Sequence, residues 1–305
     1  MKKNLLYIQI ILLLCFTTTM NSQQTPVFSD YYYNTILINP AHAGFYQDID
    51  ITAGNRGSLS SVEGAPQSFS LTTNIPFRSD KVGLGFGFIN DQIGVTNTNH
   101  FYASYAYKLI YNDDYTQAKS WNYNPTVFSF GITAGLQIYD QNLLSLNILD
   151  DPNFQNNINT TIPTIGAGFL YNKNRIYFGV SATNLIGDAF SSEENINIES
   201  PFFFHGGYRF FLTRFQEVMI TPNTLIRYAD GSPLQVDINV AVNYKNNIEV
   251  GLGYRSNSSV NIFAGLYAFQ NFRILINYTA NAVDTPINNV LGVLLSYRLG
   301  SGFTF

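Results

Sequence analysis

The feature that most constrains this chain is an alternation of apolar and polar residues that recurs, from about residue 48 onward, in runs of about ten. Val236, Ile238, Val240, Val242 and Tyr244 make one apolar face, while Gln235, Asp237, Asn239 and Asn243 make a polar one. Ile248, Val250, Leu252 and Tyr254 stand in the same way against Glu249, Gly251, Gly253 and Arg255, and Phe272, Ile274, Ile276 and Tyr278 against Arg273 and Asn277. A period of two puts alternate side chains on opposite faces of a strand. About ten residues is the length that a tilted strand needs to cross a bilayer. The polar residues must then face water or one another.

Further runs over 48–58, Phe69–Phe77, Val82–Phe88, Phe101–Leu109, Phe130–Ile138, 162–171, Ile176–Ala182, 201–212, 217–228, 259–269 and 289–299 bring the count to about fourteen strands. An even number returns both termini to one side, as single-chain bacterial barrels require. A soluble β-sandwich also alternates, but it carries charge on its wet face. Here charged residues are 12% of the chain, about half the roughly 25% of soluble domains, and the polar faces are mostly Gly, Ser, Thr and Asn. With 25 Phe and 21 Tyr to supply interfacial girdles, the sequence predicts an all-β fold, a transmembrane antiparallel β-barrel. No apolar run of about 20 residues follows the amino-terminal segment, which excludes a helical membrane protein.

Such barrels have short periplasmic turns and long outer loops. If the first connection is extracellular, the tight turns at 172–174, 245–247 and 269–271 are periplasmic, and the long segments 140–161 and 187–200 lie outside. The segment 111–125 breaks this rule: either the parity fails there or that turn is elaborated.

The ends bear on location. Lys2 and Lys3, the apolar run Leu5 to Phe16 and the small-polar exit Thr17 to Ser22 form a secretory signal peptide over 1–22, so that the mature chain starts near Gln23. Cys15 is the only cysteine and lies in that run after Leu14, a residue too large for a lipoprotein signal, so the mature chain carries no thiol. The last residue, Phe305, matches the terminal aromatic of outer-membrane strands. The net charge of −4, with no cluster of Lys and Arg, speaks against nucleic acid. The layout is therefore a signal peptide over 1–22, an N-terminal segment over 23–47 and a barrel over 48–305.

That N-terminal segment runs Pro26-Val27-Phe28-Ser29-Asp30-Tyr31, and ends Asn39-Pro40-Ala41-His42-Ala43-Gly44. In physical terms Ser29 or Asp30 can cap a short helix through Ile38 that Asn39-Pro40 stops, packed as a plug near the periplasmic mouth or offered to a partner. Farther on come Arg56, Gly64-Ala65-Pro66, Val82-Gly83-Leu84-Gly85-Phe86, Asn90-Asp91 and Gly94-Val95-Thr96-Asn97-Thr98. Later blocks include Pro222, Leu225, Arg227, Tyr228 and Gly231-Ser232-Pro233. In this order the blocks resemble the PorP/SprF family, outer-membrane proteins of the Bacteroidetes type IX secretion system. Thr35 stands where the family usually has proline and Leu59 where it has tryptophan. The resemblance implies an outer-membrane location and a part in the export or surface retention of proteins that bear a C-terminal sorting domain, gliding adhesins among them. The implied partners are such a secreted surface protein, other type IX components and outer-membrane lipid.

Chemistry is sparse. His42, His100 and His205 have no metal spacing, no G-x-S-x-G elbow occurs, and the acidic pairs Asp113-Asp114, Asp150-Asp151 and Glu193-Glu194 sit in no calcium loop. Gly83, Gly85 and Gly87 alternate within one strand and read as small lumen-facing positions. No catalytic residue, metal or cofactor is expected, and the chain is not read as an enzyme. Recognition then falls to the long loops, where Phe154, Phe190, Glu193, Glu194 and Ile198 are candidate partner contacts. The competing function is a channel for small or hydrophobic solutes.

Overall fold

The computed structural model describes residues 30–59, 62–77, 81–111, 126–148, 151, 154–187, 200–212, 217–256, 259–281 and 289–303. The signal peptide, Phe28, Phe190, Glu193, Glu194, Ile198, Phe305 and the pair Asp113-Asp114 lie outside the described residues. The strands are β1 Asp50–Ser58, β2 Gln67–Pro76, β3 Val82–Ile93, β4 Thr96–Ile110, β5 Val127–Gln141, β6 Ile158–Lys173, β7 Ile176–Ala182, β8 Phe202–Tyr208, β9 Phe210–Phe211, β10 Val218–Tyr228, β11 Gln235–Tyr244, β12 Ile248–Arg255, β13 Ser259–Ala268, β14 Phe272–Asn281 and β15 Asn289–Arg298. β8 and β9 are one stave interrupted at Arg209, since β10 pairs with both. Each stave pairs antiparallel with its neighbour in sequence, and β1 closes the ring on β15 through Asp50↔Arg298 to Ser58↔Val290. The result is a closed barrel of 14 antiparallel strands. Among the described residues no helix is long and apolar enough to cross a membrane.

Closure gives every stave a neighbour on each side, which hydrocarbon demands, while the upper part of β6, Ile158 to Gly166, pairs among the described residues with β5 alone. The alternation sorts as chemistry dictates. On β11 to β14, Ile238, Val240, Leu252, Ile262, Leu266 and Ile276 point outward and are exposed, whereas Asp237, Asn239, Asn243, Glu249 and Asn277 are buried inside. Aromatic residues ring the outer face near the end that carries the termini, with Phe77, Tyr111, Tyr244, Phe269, Phe272 and Tyr297 all exposed. At that end several turns are tight, and two put consecutive residues at positive φ, Lys245-Asn246 (54° and 49°) and Phe269-Gln270 (51° and 64°). Each of these loops holds three residues, since Tyr244 pairs with Ile248 and Ala268 with Phe272, and backbone of that hand follows the right-handed twist of the flanking strands.

Three features depart from the alternation reading. β3 to β6 run to 12, 15, 15 and 16 residues, so that one wall stands taller than the bilayer needs. The extra length is polar, as in Asn90, Asp91 and Asn97 to Asn99, and carries no hydrophobic period; only ladder pairing such as Asn90↔Asn99 and Gln137↔Ile162 reveals it. The supposed loop 140–161 is thereby shortened, because its two ends belong to β5 and β6. Third, β4 and β5 pair along their whole length across 111–126, so the parity holds and that connection is the elaborated one.

Candidate functional site

The space inside the barrel is filled by the residues that precede β1. Asp30 to Phe45 are buried except for the partly exposed Tyr32. They do not form one helix capped by Ser29 or Asp30. Two 3-10 turns replace it, Thr35–Leu37 and Pro40–His42, and Asn34 ahead of the first makes no side-chain cap bond. Asn39 caps the second, accepting at Oδ1 from Ala41 N at 2.9 Å, with Pro40 in the first position where its missing N–H costs nothing.

The wall holds this segment through side chains that alternation turns inward. Tyr31 Oη donates to Asn223 Oδ1 at 2.8 Å and accepts from Asn239 Nδ2 at 2.7 Å. Thr72 Oγ1 donates to Asn34 Oδ1 at 3.0 Å, Ser181 Oγ to the Ile38 carbonyl at 2.6 Å and Ser129 Oγ to the Ala41 carbonyl at 2.6 Å. A guanidinium nitrogen of Arg273 donates to the Tyr33 carbonyl at 3.0 Å, and Lys108 Nζ donates to the Gly44 carbonyl. Asn39, fully buried, uses Nδ2 toward the Phe169 carbonyl at 3.0 Å and His205 Nε2 at 3.1 Å. Short irregular backbone leaves carbonyls unpaired, and these hydroxyls and cations satisfy them from the wall.

Glycines supply the room. A Cβ on Gly131 would overlap the Pro40–Ala41 backbone, one on Gly168 the Asn39 amide and one on Gly83 the Ala43 carbonyl. Gly44 itself sits at φ +57°, and a Cβ there would come 2.8 Å from the Ile75 carbonyl oxygen. Apolar contacts complete the fit: Tyr31, Leu37 and Ile38 pack on Phe203 and Leu225, and Tyr33 on Phe263, Leu275 and Leu294.

Electrostatics follow burial. Desolvation pushes the Asp30 carboxyl above its usual range, with the Arg56 guanidinium pulling the other way. His42 is held down to about 3, first by burial and then by His205, Arg298, Lys108 and Arg209 around it. It stacks on Phe45 at 4.8 Å, and its Nδ1 is buried without a partner. The lumen is also more charged than a lining of Gly, Ser and Asn: Arg255 forms a two-pronged pair with Asp237 at 2.8 and 2.9 Å, and Arg298 pairs with Asp50 at 3.0 Å. The third histidine, His100, bonds Thr164 Oγ1 at 2.9 Å. Among the described residues no three His, Cys, Asp or Glu side chains gather as a metal site.

The motif residues thus fall into two groups. Tyr31, Asn39, Pro40, Ala41 and Gly44 meet inside the barrel. Arg56, on β1, reaches Thr279 Oγ1 at 3.3 Å. Gly64, Ala65 and Pro66 lie at the end away from the termini, where the Gly64 carbonyl accepts from Gly94 N at 2.8 Å and the Pro66 carbonyl from Ser58 N at 3.0 Å. Asn90 there donates to Asn97 and Asn99, and Asp91 accepts from Ser68. This second group pins the β1–β2 loop to the β3–β4 hairpin. Phe154, at the same end, is half-buried, its N–H donating to the Asp151 carbonyl at 3.1 Å. Sequence reasoning missed His205, Ser129, Ser181, Asn223 and Asn239 as contacts of the segment; their inward register was legible, but their partners were not.

Comparison with solved structures returns proteins of low identity, among them an outer-membrane protein. Omp33 of Acinetobacter baumannii is 8% identical with a TM-score of 0.46, covering 84% of this chain and all of that one. A Pseudomonas aeruginosa FadL homologue is 11% identical with a TM-score of 0.44, over 86% and 93%. The TodX deltaS2S3 mutant, a monoaromatic hydrocarbon channel, is 8% identical with a TM-score of 0.46, over 87% and 93%. No curated protein sequence matches. Comparison with protein families, in contrast, matches residues 20–290 to the family described as type IX secretion system membrane protein PorP/SprF. With that match over most of its length, and with an apolar-faced closed barrel that fits the outer membrane, the chain belongs to the PorP/SprF family of type IX secretion membrane proteins.

Proposed function

We propose that this protein acts in type IX secretion by recognition: it binds a large secreted protein through that protein's C-terminal sorting domain and helps to export it or hold it at the surface. It conducts no solute and carries out no covalent chemistry. The observation that carries the reading is the filled lumen. Asp30 to Phe45 occupy the bore and are bonded from β2, β4, β5, β7, β10, β11 and β14. A bore blocked in this way serves a solute channel poorly. The surface left for a partner is the taller end, where β3 to β6 rise past the bilayer and the connections 142–157 and 183–201 emerge. Exposed apolar groups such as Leu144, Leu146 and Ile148 on the first of these are suited to anchor a partner.

Excising residues 187–200 should leave a heat-modifiable barrel in the outer membrane while surface display of the partner fails. Display that persists with both long connections removed would sink the reading and move recognition to the opposite end.

A further inference from the structure

A cavity of about 160 Å³ lies between the lumen segment and the wall, at the end of the barrel that carries both termini. It is comparable to the roughly 150 Å³ that accepts a benzene ring in an apolar core. Its mouth is bordered by the partly exposed Tyr46 and Arg209, and aromatic rings of Phe45, Tyr177, Tyr267 and Phe303 line it. The C-terminal turn folds beneath it, with Phe303 N donating to the Gln270 carbonyl at 2.7 Å and Asn246 Nδ2 to the Phe303 carbonyl at 2.9 Å.

Three guanidinium groups face this space, and their partners differ. Arg298 is neutralised by Asp50. Arg209 bonds only neutral groups, the Asn172 amide oxygen at 3.0 Å and the Asn174 carbonyl at 3.1 Å, while it lies over the Tyr177 ring at 4.5 Å. Arg273 likewise bonds only the Tyr33 carbonyl and Ser296 Oγ, and its Nε is buried without a partner. The one carboxylate on the cavity, Glu249, is already taken by Tyr267 Oη at 2.6 Å and Asn243 Nδ2 at 3.3 Å. Tyr177 Oη and His42 Nδ1, on side chains more than nine-tenths buried, also lack partners, whereas Tyr33 Oη faces Glu249. Water can satisfy a hydroxyl, whereas the buried Nε of Arg273 has no acceptor and is matched best by a carboxylate oxygen; Asp50, Glu249 and Asp30 act on that cation without bonding its Nε, and Arg209 is partly exposed at the mouth.

We infer that this cavity binds a small organic monoanion, a carboxylate on a body about one aromatic ring in size. The carboxylate meets the unpaired guanidinium edge of Arg273 together with the free Tyr177 hydroxyl, and the body lies among the rings. The site is at the opposite end from the loops proposed to take the secreted partner, and it stands whether or not those loops do so. Two sources present this chemistry at the mouth: a free aromatic acid, or the terminal carboxylate of a peptide that ends in an aromatic residue.

The test uses the full barrel purified in detergent, titrated calorimetrically with sodium benzoate. Saturable binding of one benzoate per chain is expected, with no binding of benzyl alcohol and no competition from equal chloride. Arg273→Gln should weaken benzoate roughly tenfold or more, as loss of a charged hydrogen bond does. Because Arg273 also holds the Tyr33 carbonyl, Tyr177→Phe serves as a second variant. It removes a hydroxyl without any other hydrogen bond and should weaken binding severalfold with the barrel's heat-modifiability unchanged. Gly-Gly-Phe with a free carboxylate and its C-terminal amide separate the sources: competition by the acid alone assigns a peptide end, and no competition by either assigns the free acid. The inference is overturned if benzoate fails to saturate at millimolar concentration, if benzyl alcohol binds as well, or if neither variant changes the affinity.

Discussion

Leu252 and Glu249 lie on the same strand three residues apart, Leu252 57% exposed on the outer face and Glu249 3% exposed within. Leu252 has no named partner among hydrogen-bonding groups, and any apolar side chain of similar size would meet lipid as well. Glu249 answers to two particular groups, Tyr267 and Asn243. The outer face is therefore governed by transfer free energy alone, a property of residue type and depth. The inner face is governed by pairing, in which a buried polar atom costs free energy unless one specific partner arrives. Substitutions on the two faces should thus fail differently: outer ones lower the stability of the whole barrel, and inner ones loosen the segment while the barrel persists.

The largest effect should come from the outer face. Leu252→Arg, near the middle of β12, is expected to cost about 2–4 kcal/mol of barrel stability, read as a lower midpoint in urea unfolding within lipid. A midpoint equal to that of the unaltered protein would mean that Leu252 does not meet hydrocarbon.

Asn39→Ala should act on the other side of the comparison. It leaves His205 and the Phe169 carbonyl unpaired and removes the cap on Ala41, about 1–3 kcal/mol in segment docking. Proteolysis within residues 30–46 should accelerate while heat-modifiability stays the same. Unfolding of barrel and segment together would show that the two faces are not energetically separable.

A further effect is one of pH. His42 is held neutral at about 3 in the docked segment against 6.5 when solvated. The stability this imparts is fully present above pH 6.5. It is lost as pH falls toward about 3, at roughly 1.4 kcal/mol for each unit, because release lets the imidazole take up a proton. Hydrogen-exchange protection in residues 30–46, corrected for the intrinsic rate at each pH, should fall more steeply between pH 6 and 4 in the unaltered protein than in His42→Gln, where Asp30 still titrates; equal profiles would remove His42 from the docking balance.

How much was legible beforehand differs between the faces in the same way. The apolar period located every stave, from Ile51 and Ala53 on β1 to Leu291, Val293 and Leu295 on β15, since lipid imposes a rule on residue type that needs no partner to read. It stopped short at Phe88 and Phe101, where β3 and β4 leave the bilayer and continue as a polar hairpin around Gly94. Inside, Gly83 and Gly85 were recognisable as small lumen positions, but not that Ala43 and Ile36 fill the space they leave. The residues around Asn39-Pro40 suggested a stop to a helix. What they form is a pair of 3-10 turns, because the wall hydroxyls of Ser181 and Ser129 take up the carbonyls that helical pairing would have used.

A closed membrane barrel of about fourteen strands and a resemblance to the PorP/SprF family can be read from the linear order of residues, for alternation and ordered motifs are local and survive without knowledge of contacts. That the amino-terminal motif lies inside the barrel, and which groups receive it, comes from the folded arrangement of the strands. Tyr31 and Asn239 are 208 positions apart and Arg273 and Tyr33 are 240, and nothing in a linear chain specifies such a pairing until ring closure brings the inward faces of distant strands around one segment.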